Sequence, residues 1–452
     1  MKKSAGSLKD EALEYHRSPS PGKVEIVPTK PFDTPEDLAL DYSPGVAFPC
    51  LEIAETPDNV YKYTGRGNTV AVISNGTAVL GLGNIGAAAS KPVMEGKAVL
   101  FKVFAGINAV DVEIDETDPG RFVDIVKAIA PTFGGVNLED IKAPECFGIE
   151  AGLVGKCGIP VMHDDQHGTA TIVAAAMENA LRVQGKKAAD IRLVVNGAGA
   201  AAIACTRLLE ATGIRHENIV MCDSKGVIRS DRPGLTPSKA FFATDRRDLS
   251  TLADALVGAD AFLGLSVADV LTPGMLLTMA EKPIVFALAN PNPEIARDLA
   301  LAARTDIVYA TGRSDYPNQI NNVLGFPYIF RGALDCRASV INEEMKLAAA
   351  RAIADLARRP VSEEVKRLYK DEDMAFGRDY ILPKPFDRRL LAVVAPAVVK
   401  AAADSGVAAK PINDLEGYGE HLQRFVADTD IHLQEFIDTA TPFLDVEGVT
   451  KC

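Results

Sequence analysis

Two short acidic stretches of this chain carry side chains whose type and spacing could do chemistry. Glu139-Asp140 sits in NLEDIKAPE and Asp164-Asp165 in MHDDQHGTA. Each pair stands at the mouth of a short apolar segment and is followed by a small-residue turn or a helix start. Carboxylates from two such loops can hold a hard cation such as Mg²⁺ or Mn²⁺, which takes oxygen ligands. One acidic pair alone is more often a solvated turn; two pairs beside a dinucleotide loop make a serious candidate. His163 and His167 flank the second pair. With no third His or Cys nearby, HxxxH is a weak zinc signal, and helix-capping or supporting roles suit these histidines better.

Two glycine-rich loops compete for a dinucleotide. GLGNIG at Gly81, Gly83 and Gly86 matches GxGxxG in full, whereas NGAGAAA at Gly197 and Gly199 matches only GxGxxA. A pyrophosphate needs a strand, a tight turn and a helix N-terminus with free N–H groups. Context therefore favours the second loop, Gly197, Ala198, Gly199, Ala200 and Ala201, which follows the apolar strand 192–196 and opens an Ala-rich helix. Asp223 ends the next strand, 26 residues after Gly197 and near the distance at which an acid meets the ribose. An acid there favours NAD, because it repels a 2′-phosphate. Ser224, Lys225 and Arg229 follow it closely and could hold that phosphate instead, so NAD and NADP both stay open. After GLGNIG, Lys91-Pro92 interrupts the helical pattern, and that loop reads as a tight turn lining the substrate cleft.

The elements that would position these groups follow from local pattern. The first forty residues, rich in Pro, Ser and Lys, read as an extended arm. Short strands are expected at 70–74, 78–80, 101–103, 110–114 and 159–162, with a helix over 120–130. A long helix is expected over 169–184. Beyond it strands (192–196, 218–222, 261–265, 283–288, 307–310) alternate with helices such as 200–212, as in a parallel sheet covered on both faces. From Ser339 on the chain reads as mostly helical. The fold class is α/β, with a division into 1–165 (catalytic and metal-binding), 166–400 (Rossmann-type, dinucleotide-binding) and 401–452 (helical extension).

Composition bounds the rest. At 452 residues the chain is too long for one ordinary core. A net charge of −13 without a basic stripe argues against nucleic acid. No apolar run reaches the roughly 18 residues of a membrane span, and no secretory signal opens the chain. Seven scattered cysteines, none in a CxxC pair, fit a reducing cytoplasm better than a disulfide framework.

Several long motifs together resemble the malic enzyme family. They are DYSPGVAFPCLEI at 41–53, NGTAVLGLGNIG at 75–86, KPVMEGKAVLFK at 91–102, NLEDIKAPECF at 137–147, HDDQHGTA at 163–170 and GRSDYPNQINN at 312–322. The resemblance is to the bacterial NADP-linked type and runs from about residue 10 to about residue 430. Longer members carry a phosphotransacetylase-like C-terminal domain, for which this sequence leaves no room. The resemblance implies an N-terminal malic-enzyme catalytic domain followed by a Rossmann-type dinucleotide-binding domain and C-terminal helices. By the same token Tyr42 matches the general acid and Lys97 the general base. Glu139, Asp140 and Asp165 match the metal ligands, and Asp164 an acidic neighbour in the catalytic set. Asn290 and Asn321 match residues near substrate and nicotinamide. Where animal and plant members carry an arginine before GLGxxG, this chain has Ala78, so another group must grip that malate carboxylate.

The activity implied is oxidative decarboxylation of malate to pyruvate with NADP, or NAD, and Mg²⁺ or Mn²⁺. Alternatives are a malolactic enzyme and a non-catalytic NADP sensor. The terminal segments exceed what one core needs, so a homodimer or larger homo-oligomer that exchanges them is expected, with small molecules as the only other partners.

Overall fold

A computed structural model describes residues 5–18, 21–425 and 427. Two parallel sheets dominate it. The first has four strands in the order β2-β1-β3-β4: β1 (Thr69–Ser74), β2 (Asn108–Glu113), β3 (Gly135–Leu138) and β4 (Val161–His163). The second has six, in the order β10-β9-β8-β5-β6-β7: β5 (Leu193–Asn196), β6 (Ile219–Asp223), β7 (Gly226–Val227), β8 (Ala261–Gly264), β9 (Ile284–Ala287) and β10 (Val308–Thr311). All of its pairings are parallel except β6 with the two-residue β7. Buried apolar runs such as Val70–Ile73 and Leu193–Val195 are what strands covered on both faces require. In such sheets, ligands gather outside the carboxyl ends of the strands.

The helix Asp164–Gln184 joins the two sheets. Alanines, Ile172, Val173 and Met177 bury it along nearly its whole length. It packs against the helices Ala200–Ala211 and Glu343–Ala357 and lies in one apolar core that takes residues from both sheets. It begins five residues before the expected start at Thr169, so both acids of the second pair fall in its first turn. Anionic side chains there meet the positive end of the helix dipole.

Other expectations need correction. Residues 101–103 are no strand: the helix Ala87–Ala105 runs through them and through Pro92. Its face of Ser90, Met94, Lys97, Ala98, Phe101 and Ala105 is buried at helical spacing. Burial of that face outweighs the bond lost at Pro92. Residues 78–80 form a turn closed by a lone Val79–Gly83 bridge, with Leu80 at φ 48°. The arm is not extended throughout, since helices span Ala5–Arg17 and Pro35–Asp41. Toward the other end the helices Glu343–Ala357, Glu363–Tyr369 and Arg389–Asp404 alternate with non-helical stretches. Half of the expected 401–452 extension, residues 426 and 428–452, lies outside the described residues. No helix among the described residues is long and apolar enough to cross a membrane.

Candidate active site

The first sheet brings the acidic pairs together. Glu139 and Asp140 follow β3 and Asp164 and Asp165 follow β4, and these two strands are paired neighbours. One oxygen each from Glu139, Asp140 and Asp165 lie within 4.8 Å of one another. Asp140 turns back at φ 53°, its amide donating to Asp165 Oδ2 at 2.8 Å. Its own Oδ2 is buried with no hydrogen-bond partner, a costly arrangement for an oxygen with nothing to bind. Three converging carboxylates, one of which has an orphaned oxygen, fit a hard divalent cation.

Lys97 reaches this cluster from the buried face of the 87–105 helix. Its Nζ lies 2.7 Å from Asp164 Oδ2 and 2.9 Å from Glu139 Oε1, and 4.3 Å from the centre of the Phe326 ring. Burial favours neutral lysine, but the Asp164 and Glu139 carboxylates more than offset it and hold Lys97 above the ordinary lysine value. Burial, reinforced by mutual repulsion, pushes the acids up: Glu139 to about 7, Asp140 to about 8, Asp164 and Asp165 each to about 6. Asp164 Oδ1 is buried without a hydrogen-bond partner.

A part-buried network unmarked in the sequence holds the second acidic loop. Glu150 accepts from the His163 amide (2.9 Å) and from Gln166 Nε2 (3.2 Å), and meets His167 Nε2 at 3.0 Å. Lys346 Nζ lies 3.2 Å from His167 Nδ1. His167 thus supports the loop through Glu150. His163 Nε2 stands 3.8 Å from Asp165 Oδ2, and burial pulls its imidazole down to about 4, so His163 is neutral at physiological pH.

In the second sheet, Gly197 leaves β5 at φ 123°, where a Cβ would lie 2.3 Å from the Leu265 carbonyl oxygen. Gly199 caps the 200–211 helix, and a Cβ there would meet nothing within 4 Å. The free helix end beside open space is the arrangement a pyrophosphate requires. Gly81 lies where a Cβ would be 3.1 Å from the Asn290 carbonyl oxygen, so the GLGNIG turn closes onto the loop after β9 and ties the two sheets' carboxyl edges together. Asn321 caps a 3₁₀ turn, accepting from the Val323 amide at 2.9 Å, and Asn322 Cβ would lie 3.1 Å from a Cβ at Gly168.

Two placements differ from expectation. Asp223 does end β6, but its carboxylate is already engaged by Arg232 Nη2 (3.0 Å) and Lys239 Nζ (2.8 Å). Partial burial pushes its pKa up, yet these cations and the Lys225 amide dominate and hold it far below the usual carboxylate range. Ser224 and Lys225 are exposed beside it, while Arg229 turns to Asp231. Tyr42 is not with Lys97. It is 69% exposed at the end of the 35–41 helix, and no described hydrogen bond ties its hydroxyl to the acidic cluster.

Residues 21–120 match the family described as malic enzyme, N-terminal domain, and residues 166–371 match malic enzyme, NAD binding domain. The chain is 59% identical over 434 residues to an NADP-dependent malic enzyme of Salmonella typhimurium, covering 96% of this chain and 57% of that protein. It is 60% identical over 400 residues to an NADP-dependent malic enzyme of Halomonas elongata, covering 88% and 94%. The crystal structure of malic enzyme from Pyrococcus horikoshii superposes with a TM-score of 0.85 at 42% identity, covering 96% of this chain and 98% of that one. Several of the most similar relatives are longer proteins, and this chain spans little more than half their length.

Proposed function

Because the chain belongs to the malic enzyme family, we propose that it oxidises and decarboxylates (S)-malate to pyruvate and CO₂, reducing NADP and using Mg²⁺ or Mn²⁺. The observation that carries this reading is Lys97, buried between Asp164 and Glu139 beside a three-carboxylate cluster at a sheet's carboxyl edge. Glu139, Asp140 and Asp165 would hold the cation. Bound there, it would acidify the malate hydroxyl and accept negative charge as CO₂ leaves.

Lys97 is the general base of this reading, and Asp164 stores and returns its proton across their 2.7 Å contact. To accept a proton Lys97 must first lose one. Glu139, once shared with a bound divalent cation, would hold the lysine proton less strongly. Phe326 and the surrounding core exclude water from the ammonium. Asn290 and Asn321 would supply polar contacts for substrate and nicotinamide.

NADP is favoured over NAD because Asp223 is no free anion at the strand end. With Arg232 and Lys239 against it, the local charge is net positive, which suits a 2′-phosphate. Residues 1–165 would serve malate and metal, 166–400 the dinucleotide, and 401–452 a helical extension.

The active unit is proposed to be a homodimer in which Tyr42 acts as general acid toward the partner's site. The helices Pro35–Asp41 and Ala47–Glu55 bury none of their own residues. Leu40, Phe48 and Leu51 stand 76%, 70% and 66% exposed, an apolar surface that calls for a cover.

Reduced nicotinamide and pyruvate, followed together with L-malate and Mn²⁺, test the reading. Equal yields of the two support it, and faster turnover with NADP⁺ than with NAD⁺ supports the cofactor. Lactate without net cofactor reduction would make the chain a malolactic enzyme. Binding of NADP without turnover, in folded and metal-loaded protein, would make it a sensor.

A further inference from the structure

Away from the acidic cluster, the helices 164–184 and 343–357 leave a cleft between them of about 410 Å³. That is within the roughly 300–1,000 Å³ of small-molecule sites. It opens near the C-terminal end of the 164–184 helix, whereas Asp164 and Asp165 occupy the first turn. At about 1.5 Å per residue, that helix separates its two ends by roughly 30 Å. Neither the glycine loop nor Asp223 lines the cleft.

Its floor is apolar, from Ala174, Leu181, Leu347 and Ala350, and its rim is charged. Of the rim groups, Glu178 is paired with Arg358 at 3.0 Å and Lys186 with Asp260 at 2.5 Å. Arg182 and Arg351 remain: the Arg182 carbonyl accepts from the Gly185 amide, but neither guanidinium has a hydrogen-bond or ion-pair partner among the described residues. Arg182, in the last turn of its helix, also complements the helix dipole. Arg351, within the 343–357 helix, has no such role. Two unpaired guanidinium groups on neighbouring helices thus line the same cleft over an apolar floor. Guanidinium binds carboxylate or phosphate through two parallel N–H bonds, and a pair of them selects an anion with two such groups. The apolar floor favours one with a carbon skeleton over a bare inorganic ion.

We propose that the cleft between the 164–184 and 343–357 helices is a second binding site for a small organic polyanion, held by Arg182 and Arg351. Polycarboxylates and organic phosphates share that chemistry.

Titration calorimetry on the full chain tests this, in divalent-free buffer with saturating NADP⁺ to fill the cofactor cleft. The probes are citrate for a polycarboxylate, 3-phosphoglycerate for an organic phosphate, and acetate as a single-charge control. At least one polyanion should bind with one-to-one stoichiometry, and acetate should not displace it. The R182Q/R351Q double variant replaces two side chains with exposed heads and should keep its melting temperature. It should weaken that binding by about tenfold or more, since the charge-assisted pairs to both guanidinium groups are lost. The relative affinities of citrate and 3-phosphoglycerate distinguish the two ligand sources. No binding of either probe at millimolar concentration, or equal binding by the double variant, would overturn the proposal. The readout is binding rather than turnover, so failure of the malate reaction would leave this test intact.

Discussion

At the scale of single residues, one lysine and four carboxylates share a buried space, and their charges decide what the site can do. Lys97→Ala should lower turnover with malate by about 10²–10⁴-fold, the usual contribution of a positioned acid or base, while NADPH fluorescence titration still shows binding. Loss of cofactor binding in the same variant would make Lys97 a structural residue. The acids predict a pH dependence. Glu139, Asp140 and Asp165 have pKa values raised to about 7, 8 and 6, above ordinary values of 4.5 and 3.8. A raised acid contributes stability that is complete below its unfolded pKa and is lost as pH climbs through the folded value. The metal-free protein should therefore lose this contribution between about pH 4 and pH 8. Cation binding needs the ionised forms, so the rise in melting temperature on adding Mn²⁺ should be larger at pH 8 than at pH 6. An equal or smaller rise at pH 8 would count against these three residues as ligands. At the cofactor end, Arg232→Ala and Lys239→Ala should each weaken NADPH more than NADH, by about tenfold for a lost charge-assisted bond, as read by fluorescence titration. Equal losses for both cofactors would mean the cations only support the loop. The sequence made the acidic pairs legible because both partners stand side by side. Glu150, Lys346, Arg232 and Lys239 were not legible, because only the folded chain carries them to the groups they touch.

At the scale of elements, the two glycines of the second loop should behave differently. Gly197 holds φ 123° and its missing Cβ would strike the Leu265 carbonyl, so Gly197→Ala should cost about 1–3 kcal/mol of stability, read as a lower midpoint in urea. Gly199 adopts an ordinary backbone beside open space. Gly199→Ala should leave that midpoint nearly unchanged and still weaken NADPH, whose phosphates need the space. Unchanged affinity in that variant would remove the loop from the binding reading. The same elements explain what local pattern can reveal. The strands of the second sheet are continuous apolar runs between turn residues, and their expected and observed bounds agree to about a residue. The 87–105 helix was obscured because Pro92 and the run Ala98–Val103 mimic a break and a strand. Only the burial of Met94, Lys97 and Phe101 on one face shows the helical period to be decisive. GLGNIG has the spacing of a dinucleotide loop, but Lys91-Pro92 already spoke for a tight turn, and Gly76 and Gly86 draw their backbones together in one.

At the scale of the whole molecule, the N-terminal segment poses the question the single chain leaves open. Its helices bury nothing of their own, yet Tyr42 lies on it and Lys97 lies in the core. If each segment covers a second copy, every site draws its lysine from one chain and its tyrosine from the other. Light scattering should then give about twice the 48.1 kDa chain mass. Complementation makes the sharper prediction. Y42F and K97A chains, each nearly inactive alone, would be co-expressed with different tags and purified as the mixed dimer. With exchanged segments, one of its two sites pairs an intact Lys97 with an intact Tyr42, and the other has lost both. Such a dimer should recover about half the wild-type turnover, as a symmetric dimer with independent sites requires. If Tyr42 served its own chain, each site would keep one lesion and the mixed dimer would stay as inactive as its parents. The magnitude of the recovery therefore reports which chain supplies the acid, from turnover alone.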